Sequence, residues 1–166
     1  MNRRFTSISI AALLLAAVSS CKPLSIEMSE SVPPTFSFDG SRLAHYKRAD
    51  FFVVVEVAPE NQKLPAYAHS SVKDKTIWWI WPDDYRDGEL ENLPAITYGT
   101  VPAGWHQKVP EGGEAPPTLV EGKVYEAGGP QISVPEAFMR FTIRHGKAVR
   151  LPFYQEEFDK QQSGED

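Results

Sequence analysis

Fourteen prolines among 166 residues, spread along the chain rather than gathered in one tract, constrain this sequence most. A proline has no backbone N–H and its ring clashes with the preceding helical turn, so long helices cannot run through it. What lies between the prolines is short and rich in β-branched and aromatic residues. Thr35 to Phe38 alternates polar and aromatic before Asp39-Gly40. Phe51 to Val57 (FFVVVEV) is too apolar for a loop and is closed by Ala58-Pro59; it reads as a central strand. Thr76 to Trp81 (TIWWIW) stops at Pro82. Further strands are expected at Ala95 to Tyr98, Trp105 to Val109, Lys123 to Ala127, Phe138 to Arg144 and Ala148 to Leu151. Between them, residues 60–75, the acidic stretch Asp83 to Asn92 and the run EGGEAPP from Glu111 to Pro117 read as loops.

The last two strands give the clearest local expectation. Phe141 and Ile143 alternate with Arg140, Thr142 and Arg144. His145-Gly146 suits a two-residue turn, because glycine tolerates positive φ. Val149 and Leu151 are placed on the apolar side with Phe141 and Ile143. The expected core is Phe36, Phe38, Val53, Val55, Phe141, Ile143 and Val149. About seven short strands with frequent turn signals predict an all-β fold, an immunoglobulin-like two-sheet β-sandwich, with a small β-barrel as the alternative. The Cys…Trp…Cys signature of true immunoglobulin domains is absent, since the chain has one cysteine.

That cysteine closes a distinctive opening, MNRRFTSISIAALLLAAVSSC. Arg3 and Arg4 supply positive charge, and Ile8 to Val18 is apolar except for Ser9. Small residues then lead to Cys21, the order of parts in an export signal. The apolar run is about eleven residues, against roughly 20 for a spanning helix, which argues against a permanent transmembrane segment. Val18-Ser19-Ser20-Cys21 resembles the lipobox of bacterial lipoproteins: a branched aliphatic residue, two small residues, then cysteine. The resemblance implies a diacylglycerol thioether on the Cys21 sulfur and cleavage after Ser20. Two or more acyl chains hold a protein stably to a bilayer, at ~0.8 kcal/mol per buried CH₂. Lys22 follows the cysteine, which by the enterobacterial sorting pattern favours the outer membrane where the source has one. The stretches PPTFSFDG, FFVVVEV, LPAITYGTVPAGWHQ and LVEGKVYEAGG also resemble small, uncharacterised bacterial lipoproteins over most of residues 33–151, a resemblance that implies no activity.

The expected organisation is a signal peptide at 1–20, a tether at 21–34, a β-sandwich domain at 35–155 and a disordered tail at 156–166. Without Arg3 and Arg4, 15 Lys+Arg face 22 Asp+Glu, a net charge of −7. An acidic body carries no footprint for nucleic acid and no polybasic patch for anionic lipid.

No nucleophile elbow or phosphate-binding loop occurs. His45, His69, His106 and His145 have no metal-ligand spacing among themselves. The stretch Asp83 to Gly88 offers Asp83 and Asp87 as weak metal candidates. A calcium loop beginning at Asp83 would need an oxygen ligand where Tyr85 stands and a glutamate where Pro94 stands. No cofactor is therefore expected, although Glu89 and Glu91 leave an irregular calcium site open. On a strand, Trp79 and Trp81 share one face and Trp78 shares the other with Ile80. Trp79, Trp81 and Trp105 are thus candidates for a ligand platform, since aromatic faces stack on sugar rings; burial in the core is the rival reading. Three functions remain open. They are a non-catalytic envelope module, a binding domain for carbohydrate or another periplasmic ligand, and an enzyme with a scattered site. Adjacent exposed tryptophans would favour the second, and a cleft of convergent carboxylates or histidines the third.

Overall fold

The computed structural model describes residues 26–38, 48–62, 74–84, 86–89, 93–129 and 138–152. The expected signal peptide at 1–20, Val18-Ser19-Ser20-Cys21 and the expected tail at 156–166 lie outside them, as do His45 and His69. Among the described residues nine strands form: β1 (Ile26–Met28), β2 (Thr35–Phe38), β3 (Phe52–Glu56), β4 (Lys75–Pro82), β5 (Ile96–Thr97), β6 (Trp105–Val109), β7 (Val124–Gly128), β8 (Phe138–Arg144) and β9 (Lys147–Leu151). They make two antiparallel sheets, a small one in the order β1-β2-β5 and a large one in the order β6-β4-β3-β7-β8-β9. No α-helix occurs among the described residues, only 3₁₀ turns at Pro59–Asn61 and Glu111–Gly113. No described helix is long and apolar enough to cross a membrane.

The two sheets share one core. Phe36 of β2 lies 5.1 Å from the Phe52 ring and 5.7 Å from the Phe141 ring, and Phe38 meets Phe52 edge-on. Trp78 and Ile80 of β4, Tyr125 and Ala127 of β7, and Met139 and Ile143 of β8 complete the wall facing β2. Burial of such aromatics is the main driving term, roughly 1.5–3 kcal/mol for each large apolar side chain. At the end of β8 the chain reverses through His145 (φ 53) and Gly146 (φ 72), the paired positive φ values of a type I′ turn, which suits the twist of the flanking strands.

Three expectations change. The segment 26–34, read as tether, is folded: β1 pairs with β2, Ile26 opposite Phe38 and Met28 opposite Phe36, and Ile26 is buried. In β3 the core residues are Phe52 and Val54, while Val53 and Val55 are half-buried on the opposite face. A continuous apolar run carries no alternation to set its phase, so the neighbouring strands decide it. Val149 is half-buried too. The two-residue turn pairs Ile143 with Ala148 and Thr142 with Val149, so Ala148 reaches the core and Val149 shares the face of Thr142. Phe36, Phe141 and Ile143 lie in the core, and Phe38 is half-buried against it.

Candidate functional site

The outer face of the large sheet, turned away from β2, carries the unusual side chains. Strand alternation puts Trp78 and Ile80 inward and Trp79 and Trp81 outward. The two outward rings sit 5.8 Å apart at an interplanar angle of 43°. Trp81 is 38% exposed, one of the few large apolar side chains left open to water. The Trp79 indole N–H is buried and has no hydrogen-bond partner among the described residues. A buried donor in that state costs about 1–3 kcal/mol, so its retention calls for a reason.

Strand β6 supplies the polar border. Trp81 pairs with His106, which places the imidazole beside the exposed indole. His106 Nδ1 lies 2.5 Å from Asp83 Oδ1, and both side chains are substantially exposed. A carboxylate on Nδ1 fixes the orientation of the ring and leaves Nε2 for another partner. The arrangement is thus two tilted aromatic faces beside a carboxylate-oriented imidazole. It offers dispersion contact to an apolar surface and hydrogen bonding along one border.

Trp105 lies apart from this pair. As the inward residue of β6 it is 5% exposed, and its indole N–H donates to the Asp87 carbonyl at 2.9 Å. Its position follows from register, since it pairs with the buried Pro82. The platform therefore has two members, not three.

The acidic stretch is organised by internal bonds. Asp84 Oδ1 accepts from the Arg86 and Asp87 amides, the Asp83 amide donates to the Gly104 carbonyl, and the Ala49 amide donates to the Gly88 carbonyl. Asp83 faces His106, whereas the Asp87 carboxyl packs where a Cβ on Gly104 would stand. Among the described residues no group of three or more His, Cys, Asp or Glu side chains is gathered to hold a metal ion.

A second polar group lies further along the same outer face. Glu126 of β7 and Arg140 of β8 are opposite one another in register, and both are almost fully buried. Arg140 Nε donates to Glu126 at 3.3 Å, and its terminal nitrogens donate to the carbonyls of Gln62 and Asn61. Asp74 accepts from the Ala58 amide and from the Asn61 side chain, so the 3₁₀ turn after β3 is tied down over this face. Burial raises the Glu126 carboxyl to about 8; Arg140 pulls the other way and Asp74 adds to the rise. Sequence reasoning missed this group, because alternation in β8 placed Arg140 and Thr142 only on the face opposite Phe141 and Ile143. No local signal shows that another segment covers the face there.

The chain matches no protein-family model, no curated protein and no solved structure.

Proposed function

We propose that this protein is a lipid-anchored lipoprotein of the cell envelope whose body, a β-sandwich of immunoglobulin-like kind, serves as a binding module rather than an enzyme. The anchor rests on Val18-Ser19-Ser20-Cys21 and the short apolar run before it. With Lys22 after the cysteine, the outer membrane is the favoured location. The sandwich reading is supported by two antiparallel sheets whose inner faces meet through Phe36, Phe52 and Phe141.

The Trp79–Trp81 pair carries the choice of a binding role. An indole kept open to water, beside a second indole and a carboxylate-oriented imidazole, is costly decoration for a purely structural surface. Carbohydrate is the ligand class that fits: the rings cover C–H faces of a sugar, and His106 and Asp83 reach its hydroxyls. Titration of the intact protein with neutral tetrasaccharides such as maltotetraose and chitotetraose, followed by tryptophan emission, tests this reading. A saturable change that Trp81→Ala abolishes without altering the melting temperature is expected. The carbohydrate reading fails if every sugar leaves the emission flat, or if Trp81→Ala responds as the native protein does.

A further inference from the structure

The strand registers decide which end of the fold meets the bilayer, an inference that rests on the lipid-anchored reading. The chain enters β1 at Ile26, five residues after Cys21. Five residues at full extension span at most about 17 Å. The seven residues of β8 alone rise about 23 Å. The link to the lipid is therefore shorter than the long axis of the sheet it carries.

Pairing maps Ile26 onto one end of the whole fold. Ile26 is opposite Phe38, whose ring meets Phe52. Phe52 pairs with Ile80, and the strand then runs on through Trp81 to Pro82, which pairs with Trp105. Gly128 pairs with Phe138, and Leu151 pairs with Arg140, near the same end. The loop of Pro102 to Gly104 belongs there as well, since the Gly104 carbonyl accepts from Asp83. At the opposite end lie Glu30, whose carbonyl accepts from Ala148, and the turn from Arg144 to Lys147. Lys147 bonds Glu30 there, and Lys123 bonds Glu56.

We propose that the end of the fold marked by Ile26, Phe38 and Pro82 faces the bilayer, because the five-residue link is too short to turn it away, while the Arg144–Lys147 turn points away from the membrane.

Two single-cysteine variants of the full lipidated protein test the orientation, since the Cys21 sulfur is blocked by its thioether. Ala103→Cys labels the Ile26 end and Arg144→Cys the other, both at exposed positions. Each is labelled with a fluorophore and reconstituted into phosphatidylcholine vesicles holding a headgroup-linked energy acceptor. Transfer from Ala103→Cys is expected to exceed that from Arg144→Cys by about twofold or more, because one strand length separates them. Equal transfer, or stronger transfer from Arg144→Cys, overturns the orientation with the anchor intact. Failure of both variants to float with the vesicles overturns the anchor itself, and the orientation with it.

Discussion

The two faces of the six-stranded sheet are built from the same strands yet follow different rules. The inner face is mainly apolar: Phe52, Val54, Trp78, Ile80, Tyr125, Phe141 and Ile143 belong to one core, Phe52 meets Trp78 edge-on, Tyr125 stacks on Phe141, and Gln107 accepts from the Trp78 indole. The outer face mixes half-buried valines, an indole pair of which Trp81 is exposed, and the buried Glu126–Arg140 pair. Oil-like packing is satisfied by any well-shaped neighbour. The outer face instead needs particular partners: carbonyls for the terminal guanidinium nitrogens of Arg140, a carboxyl for its Nε, and a carboxylate for the His106 imidazole. On the proposed reading, the inner face supplies stability and the outer one recognition.

Substitutions on the two faces sharpen the contrast. The largest loss is expected for Phe141→Ala, which empties the meeting point of Phe36 and Tyr125; about 3–5 kcal/mol should disappear from the unfolding free energy in urea. A loss below about 1 kcal/mol would mean that the sheets do not depend on this contact. Arg140→Ala should cost nearly as much, about 3–4 kcal/mol, because it strips a guanidinium from the buried Glu126 and from the Gln62 and Asn61 carbonyls. If it proved as mild as a surface change, the polar cluster would not secure the turn after β3.

Gly128→Ala comes next. A Cβ there would stand 1.9 Å from the Phe138 ring, so about 1–3 kcal/mol should be lost, and Phe138→Ala in the same chain should recover part of it. A subtler effect concerns pH. Glu126 holds its proton more tightly folded than unfolded, since burial raises its carboxyl from 4.5 to about 8. Its contribution is full below about pH 4.5 and fades as pH climbs toward 8, because in that window the folded state binds the extra proton. Urea midpoints of the native protein should therefore fall between pH 5 and 8 more steeply than those of Glu126→Gln. Identical slopes would remove this carboxyl from the account. Trp81→Ala should be the mildest, within about 0.5 kcal/mol, while removing ligand response.

The hairpin of β8 and β9 was readable because its cues are local: alternation on one strand and a glycine turn between the two. The same turn, followed through in register, places Val149 beside Thr142, so reading apolar character alone put Val149 on the wrong face. FFVVVEV declared a strand but not its phase. The short alternation Ile26-Glu27-Met28 was hidden in a polar segment, and only pairing with β2 makes a strand of it. That Trp79 and Trp81 share a face followed from period-two geometry, but which of the two faces is the core did not. Burial of Trp105 depended on a partner strand more than twenty residues earlier, and the Glu126–Arg140 pair on coverage by the turn at Pro59–Asn61. Contacts of that range leave no mark in local sequence.

The central claim is that this body is carried on a lipid. Mass spectrometry of the amino-terminal peptide of the native protein tests it at one atom, the Cys21 sulfur. The account predicts a chain that begins at Cys21 and carries the added mass of a diacylglyceryl group, with acylation of the new amino group. An unmodified start at any other residue would contradict it and leave a secreted all-β domain without an anchor.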